Sequence, residues 1–223
     1  CSKIHYLCKK LFKIMNQQQY LQSLIEQGEH QQQDFKYKIQ DAVKLAKSVS
    51  AFANTDGGRL LIGVRDDGHI SGVKSEEEIY MMHAAAYRYC SPESDISFST
   101  LHVESKNIVI ATIPPTSNKP LLAVDEMGNK CAYVRIKDEN IVASPIHLEM
   151  WRQELQPKSM MEYTEKTQHL LAVIKEQPNE TLNKLVRLSK INRHTVISTL
   201  AKLVRYGVVR CNYADDRFTF EIA

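Results

Sequence analysis

The sequence predicts an α+β protein in two parts: a mixed sheet built from hairpins with helices packed on it, then a smaller helical unit closed by a terminal hairpin. Three observations carry this expectation. Helical spacing of apolar residues alternates with short continuous apolar runs up to about residue 155. Glycine, proline and Asp/Asn clusters punctuate those runs. From residue 164 the pattern changes to three amphipathic segments followed by two short strands.

The elements follow in order. From Asp41, apolar residues recur at Ala42, Leu45, Ala46, Val49, Phe52 and Ala53, with Lys44 and Lys47 on the opposite face, which is an amphipathic helix. Asn54-Thr55-Asp56-Gly57-Gly58 is expected to stop it, because Asn and Gly accept the left-handed conformation of a C-terminal cap. Leu60 to Val64 predicts a buried strand, Asp66-Asp67-Gly68 a tight turn, and His69 to Val73 its hairpin partner. Ser75 and Glu78 read as the capping box of a helix running to about Cys90. Strands are expected over 96–104 and 107–113, and a second hairpin over 121–124 and 131–136. Ser144-Pro145 supplies a cap and first-turn proline for a helix carrying the only tryptophan, Trp151. Tyr80, Met81, Ala84, Ala85, Tyr87 and Tyr89 form an apolar stripe, expected to be core or a subunit contact.

Gln156-Pro157-Lys158-Ser159 is polar and proline-containing, so the linker is placed at 156–163. Beyond it, helices are expected over 166–177, 181–188 and 193–206, then strands over 208–212 and 217–222. Three helices and a closing hairpin are the pattern of a winged helix-turn-helix. The expected division is an N-terminal extension at 1–16, with Met15 reading as the start, a larger domain at 17–155, the linker, and a C-terminal domain at 164–223.

Composition narrows the function. Of 223 residues, 43% are hydrophobic, enough for a real core, and no apolar run approaches the ~20 residues of a membrane span, so no membrane partner is expected. Five scattered cysteines without a Cys-x2-Cys pair fit a reducing cytoplasm and no zinc site; the histidines lack ligand spacing. Residues 164–223 hold ten Lys/Arg against six Asp/Glu, whereas residues 17–163 hold fifteen against twenty. A basic footprint suited to nucleic acid therefore lies in the C-terminal part, and the larger domain must bind through a local patch.

The run Ala51-Phe52-Ala53-Asn54-Thr55-Asp56-Gly57-Gly58, together with Glu29 to Lys36 upstream, resembles the signature of the Schlafen AlbA-type domain over about residues 17–155. The resemblance implies a nucleic-acid-binding module of the kind found in bacterial regulators and animal Schlafen proteins. That family has also been linked to ATP, but no Gly-x4-Gly-Lys-Ser/Thr loop is present to cradle its phosphates. RNA-cleaving members imply acidic catalytic residues here, matching Glu29, Asp34 and Asp66 or Asp67, with Asp34 standing where Glu is usual.

The residues support the same site from chemistry. If 33–36 is extended, Asp34 and Lys36 share a face while Phe35 turns into the core. Glu29, Asp34 and Asp66 as metal ligands for Mg²⁺ or Mn²⁺, with Lys36 as the fourth catalytic group, would suit phosphodiester cleavage. The bland alternative makes Asp66 and Asp67 turn formers, Glu29 a helix-end charge and Lys36 a solvated residue.

For phosphate contacts, the larger domain offers Lys44, Lys47, Arg59, Arg65 and Arg135, and the amides of Gly57-Gly58. In the C-terminal domain, Arg193, His194, Thr195 and Lys202 lie on the third helix, Arg187 and Lys190 precede it, and Arg210 and Arg217 lie on the wing. The expected function is a DNA-binding transcriptional regulator of bacterial type. RNA is a further expected partner and homo-oligomerisation is expected; the alternatives are a metal-dependent endoribonuclease and a non-catalytic assembly protein.

Overall fold

The computed structural model describes residues 16–156 and 163–223, which fall into two compact units divided between Val142 and Ala143. The N-terminal extension, but for residue 16, and most of the expected linker lie outside the described residues.

In the first unit, a helix over 16–26 (α1) precedes β1 (Gln33–Lys36), α2 (Ala42–Asn54) and β2 (Gly58–Ile62). Then come α3 (Ser75–His83), prolonged by a π-helical turn over Ala84–Arg88, and strands β3 (Cys90–Ser91), β4 (Ser97–Val103), β5 (Lys106–Ile113), β6 (Leu122–Val124), β7 (Lys130–Ile136) and β8 (Glu139–Val142). Two four-stranded sheets result, ordered β1-β2-β5-β4 and β3-β6-β7-β8.

The alternation of β2 explains the layers. Leu60 and Ile62 join Val49 and Phe52 of α2 in one core, while Leu61 joins Leu21 and Leu24 of α1 and Phe35 of β1 in another. The first sheet is thus covered on both faces, α1 on one side and α2 on the other, which is why β2 reads as a continuous apolar run. The buried polar residues of α2 fasten it to the second sheet. Ser50 Oγ donates to Leu121 O at 2.7 Å, and Asn54 Nδ2 donates to Leu121 O at 2.8 Å and Tyr133 O at 3.0 Å. Asn54 Oδ1 accepts the Leu121 N–H at 2.8 Å.

Three local expectations change here. Asn54 is the last residue of α2, fully engaged across the core, and the left-handed residue of the turn is Gly57 at φ +70°. The strand at 60–64 does not pair with 69–73 as a hairpin. Its partners are β1, in parallel, and β5, and the two runs meet at a Val64–Ile70 bridge and through the Ser71 and Gly72 N–H groups, which both donate to Gly63 O. Gly63, Gly68 and Gly72 all take positive φ, so the return segment turns repeatedly and cannot hold an extended ladder. The capping box at Ser75 is not formed either. Lys74 is the cap residue, and Glu78 accepts the Ile39 N–H at 2.8 Å from a distant loop.

The second unit contains α4 (Pro145–Glu154), α5 (Glu165–Glu176), β9 (Glu180–Thr181), α6 (Leu182–Ser189), α7 (Arg193–Arg205), β10 (Val209–Ala214) and β11 (Arg217–Ile222), with a sheet ordered β10-β11-β9. Ser144 caps α4 with Pro145 in its first turn, as expected. That helix was assigned to the larger domain by sequence, yet Ile146 is buried with Leu170, Leu185, Val196 and Leu200. Gln153 donates to Ser198 O at 3.1 Å, and Arg205 donates to Gln153 O at 2.9 Å. The division therefore falls after Val142, because the apolar face of α4 finds its partner in α7.

Candidate nucleic-acid interface

Parallel pairing of β1 with β2 places Asp34 and Lys36 on one face and Phe35, 2% exposed, on the other. The Asp34 carboxylate is buried between two cations. Lys36 Nζ stands 2.5 Å from Oδ2, and Arg135 Nη2 donates to Oδ1 at 3.2 Å. Glu29 reaches in from the loop before β1, where it accepts the Phe35 N–H at 2.8 Å. Burial and a hydrogen bond with Asp34 push the Glu29 carboxyl up to about 7. Glu29 thus keeps its proton up to near neutrality.

Arg135 is the main correction to the expected phosphate patch. It is 2% exposed, and its guanidinium donates to Asn140 Oδ1 at 2.9 Å and Gln33 O at 3.3 Å while lying 4.8 Å over the Phe52 ring. Asn140 in turn donates to Ser48 Oγ at 2.9 Å. A guanidinium so enclosed cannot reach a nucleic-acid backbone.

The acids do not assemble as a three-carboxylate set. Asp66 is exposed in the turn beyond Gly63, and Asp67 accepts the His69 N–H at 2.9 Å, the behaviour of a turn former. No group of three His, Cys, Asp or Glu side chains able to hold a metal occurs among the described residues. Glu29 and Asp34 alone face one another, and Lys36 and Arg135 already neutralise Asp34, so these residues do not fit the Mg²⁺ or Mn²⁺ site expected from sequence.

Among the remaining cations, Lys44 and Lys47 are exposed on the outer face of α2, and Lys47 stands 5.9 Å over the Tyr133 ring. Lys44 shares a concavity of about 280 Å³ with Lys36, Lys38 and Ser48. Lys38 was not singled out from sequence, although its alternation with Lys36 beyond an acidic position was a usable signal. Arg59 is half-buried, bonded to Gln33 at 2.7 Å and Gln27 at 2.9 Å. Arg65 is exposed and stacked 4.9 Å over Tyr37. The Gly57 N–H donates to Phe52 O at 2.9 Å, so that amide is not left for a phosphate.

In the second unit, Lys190 occupies the left-handed conformation between α6 and α7, and Asn192 caps α7 by accepting the Thr195 N–H at 2.9 Å. Val196, Leu200 and Leu203 face inward and Ser198 is covered by Gln153, which leaves Thr195, Thr199, Lys202 and Tyr206 on the remaining stripe. Arg193 and His194 are exposed at the helix start, and Arg193 Nη1 donates to Asn183. Arg187, Lys190, Arg210 and Arg217 are exposed, with Arg210 4.0 Å from Glu221 and Arg217 beside the turn at Asp215 and Asp216. This unit presents its basic side chains outward; the first buries its most central one.

The profile of the family described as Schlafen, AlbA_2 matches residues 29–144, more than half of the chain. The chain is also similar to the crystal structure of the DIP2311 protein from Corynebacterium diphtheriae, at 15% identity and a TM-score of 0.44. That likeness covers 85% of this chain and 34% of the other. No helix among the described residues is long and apolar enough to cross a membrane. The match spans β1, the Asp34–Arg135 pair and the buried Asn54 clamp, and by it the chain belongs to the Schlafen AlbA_2 family of nucleic-acid-binding domains.

Proposed function

We propose that the protein is a DNA-binding transcriptional regulator in which the Schlafen AlbA_2 domain is joined to a winged helix-turn-helix. The observation that carries this reading is the partly exposed stripe of α7, Thr195, Thr199 and Lys202 with Tyr206 exposed at its end, bordered by exposed Arg187, Lys190 and Arg193. Such a helix can enter a major groove while the flanking cations hold phosphates, and the β10–β11 hairpin with Arg210 and Arg217 serves as the wing. The shallow concavity of Lys36, Lys38 and Lys44 is the corresponding backbone contact on the larger domain.

The nuclease reading has less support. It would rest on two carboxylates rather than three, one of them neutralised by its neighbours. The experiment that tests the regulator reading is fluorescence anisotropy of the full chain with duplex DNA and structured RNA of equal length, with cleavage scored on the same samples. Salt-sensitive retention of duplex DNA without cleavage is expected. RNA cut in a Mn²⁺-dependent manner would overturn it.

A further inference from the structure

The outer face of α3 and its π-helical extension carries an aromatic stripe that the core does not use. Glu76, Tyr80, His83 and Tyr87 follow at helical spacings, and all four are exposed, Tyr80 at 72% and Tyr87 at 44%. The opposite side of the same helix buries Met82, Ala85 and Ala86 completely, so a rotation that hid the stripe would expose the core. The rings are held in place: His83 stacks on Tyr87 with centroids 5.5 Å apart and planes within 17°, and it packs on Phe98 of β4 at 5.0 Å. A fixed, exposed aromatic surface of this kind marks a binding face rather than chance exposure.

Its charges are arranged about its centre. Glu76 and Glu77 lie at one end, Glu77 in an exposed 3.1 Å ion pair with Lys74, and Arg88, exposed above the Tyr89 ring at 5.4 Å, lies at the other. Around His83 the order is nearly palindromic, Tyr80 three residues before and Tyr87 four after, Glu77 six before and Arg88 five after. Beside Tyr80 a concavity of about 590 Å³ is lined by Glu76, Glu77, Glu78, Met81, Ile39 and Lys38, three carboxyl groups to one cation, a net acidic and partly apolar hollow suited to an arginine or aromatic side chain.

We propose that this face is the contact between two copies of the chain, paired antiparallel about a two-fold axis near His83. A two-fold contact joins the same patch to itself, so its two ends must be complementary, and this stripe meets that condition. Tyr87 of one copy lies against Tyr80 of the other, and Arg88 of each enters the hollow lined by Glu76 and Glu77 of its partner. Nucleic acid fits the stripe poorly, since those two carboxylates repel phosphate at one end of it. The proposal does not rest on the DNA-binding reading, and Lys38 borders both this hollow and the concavity assigned to phosphate contact.

Sedimentation velocity of the full chain across micromolar concentrations tests it, with melting temperature and circular dichroism checking the fold of each variant. The native chain is expected to be a dimer. Arg88→Glu alone, and Glu76→Arg with Glu77→Arg, are each expected to raise the dimer dissociation constant roughly tenfold or more, and the combination of all three to restore it. Tyr80→Ser with Tyr87→Ser is expected to give a folded monomer. A native chain that is monomeric throughout, a dimer indifferent to these variants, or a charge combination that fails to restore association overturns the proposal. Loss of nucleic-acid binding in the tyrosine variant with its mass unchanged would assign the stripe to nucleic acid and overturn it as well.

Discussion

Arg135 Nη2 stands 3.2 Å from the Asp34 carboxylate across a separation of 101 residues, joining the edge strand of one sheet to the centre of the other. Both residues are nearly inaccessible to solvent, so each charge depends on the other. Replacing Arg135 by Met is expected to destabilise the first unit by about 3–5 kcal/mol, since it leaves a buried carboxylate facing Lys36 alone. Hydrogen exchange of first-unit amides measures this loss. Wild-type exchange with selective loss of nucleic-acid affinity would instead return Arg135 to the phosphate patch.

The Glu29 carboxyl titrates at about 7 in the folded chain against an ordinary value of 4.5, because burial and Asp34 favour its protonated form. The native state therefore holds the proton more tightly than the unfolded chain, and stability falls as pH rises from 4.5 through 7. Solvent access to Glu29 reduces the effect to about 1 kcal/mol. Glu29→Gln keeps an acceptor for Phe35 N–H and a donor for Asp34, and is expected to flatten the pH profile and be the more stable protein at pH 8. A profile unchanged by the substitution would show that Glu29 does not hold that proton.

Gly58 does not have positive φ, yet it admits no side chain. A Cβ there would lie 2.4 Å from the Phe52 ring and 2.9 Å from Gln32 O. Gly58→Val is expected to destabilise the first unit by about 3 kcal/mol or more, and Phe52→Leu in the same chain to recover part of that loss. Strictly additive losses in the two substitutions would show that the Phe52 contact is not the cause.

His147 is half-buried in the second unit, packed on Phe218 at 5.0 Å, and its Nδ1 accepts the Ser144 N–H at 3.2 Å. Burial lowers its titration from 6.5 to about 4. The stability this neutral ring provides is present above pH 6.5 and lost as pH falls toward 4, by about 3 kcal/mol at the lower end. Trp151, in the same unit and 5% exposed, reports that unfolding by fluorescence. His147→Phe is expected to remove this part of the pH dependence, and an identical acid profile in the variant would place the loss elsewhere.

Duplex DNA binding gives the last prediction. Arg187→Ala with Lys190→Ala is expected to weaken all duplex sequences alike and to lower the dependence of log affinity on log salt by about 2, since two phosphate contacts and their released counterions are lost. Both side chains are exposed, so the Trp151 melting transition should not move. An unchanged salt slope would remove these residues from the interface.

Where interactions are local, the sequence by itself determined the outcome. The apolar spacing of α2, the Ser144-Pro145 start of α4, helices α5, α6 and α7 with the closing hairpin of the second unit, and the shared face of Asp34 and Lys36 all follow from spacings of two to four residues. The Gly57-Gly58 turn was legible too, though which glycine needs positive φ and which needs an absent Cβ was not. Tertiary structure alone decided the rest. Arg135 could be read as a surface cation because its burial depends on Asp34, Asn140 and Phe52, none of which adjoins it in sequence. Asp66 left the acidic group because Gly63 turns the chain after β2, and β2 chose β1 and β5 over the nearer segment at 69–73. Helix α4 joined the second unit because its apolar face met α7. A side chain's periodicity is set by the backbone it sits on, whereas its burial and charge partner are set by which distant surface covers it.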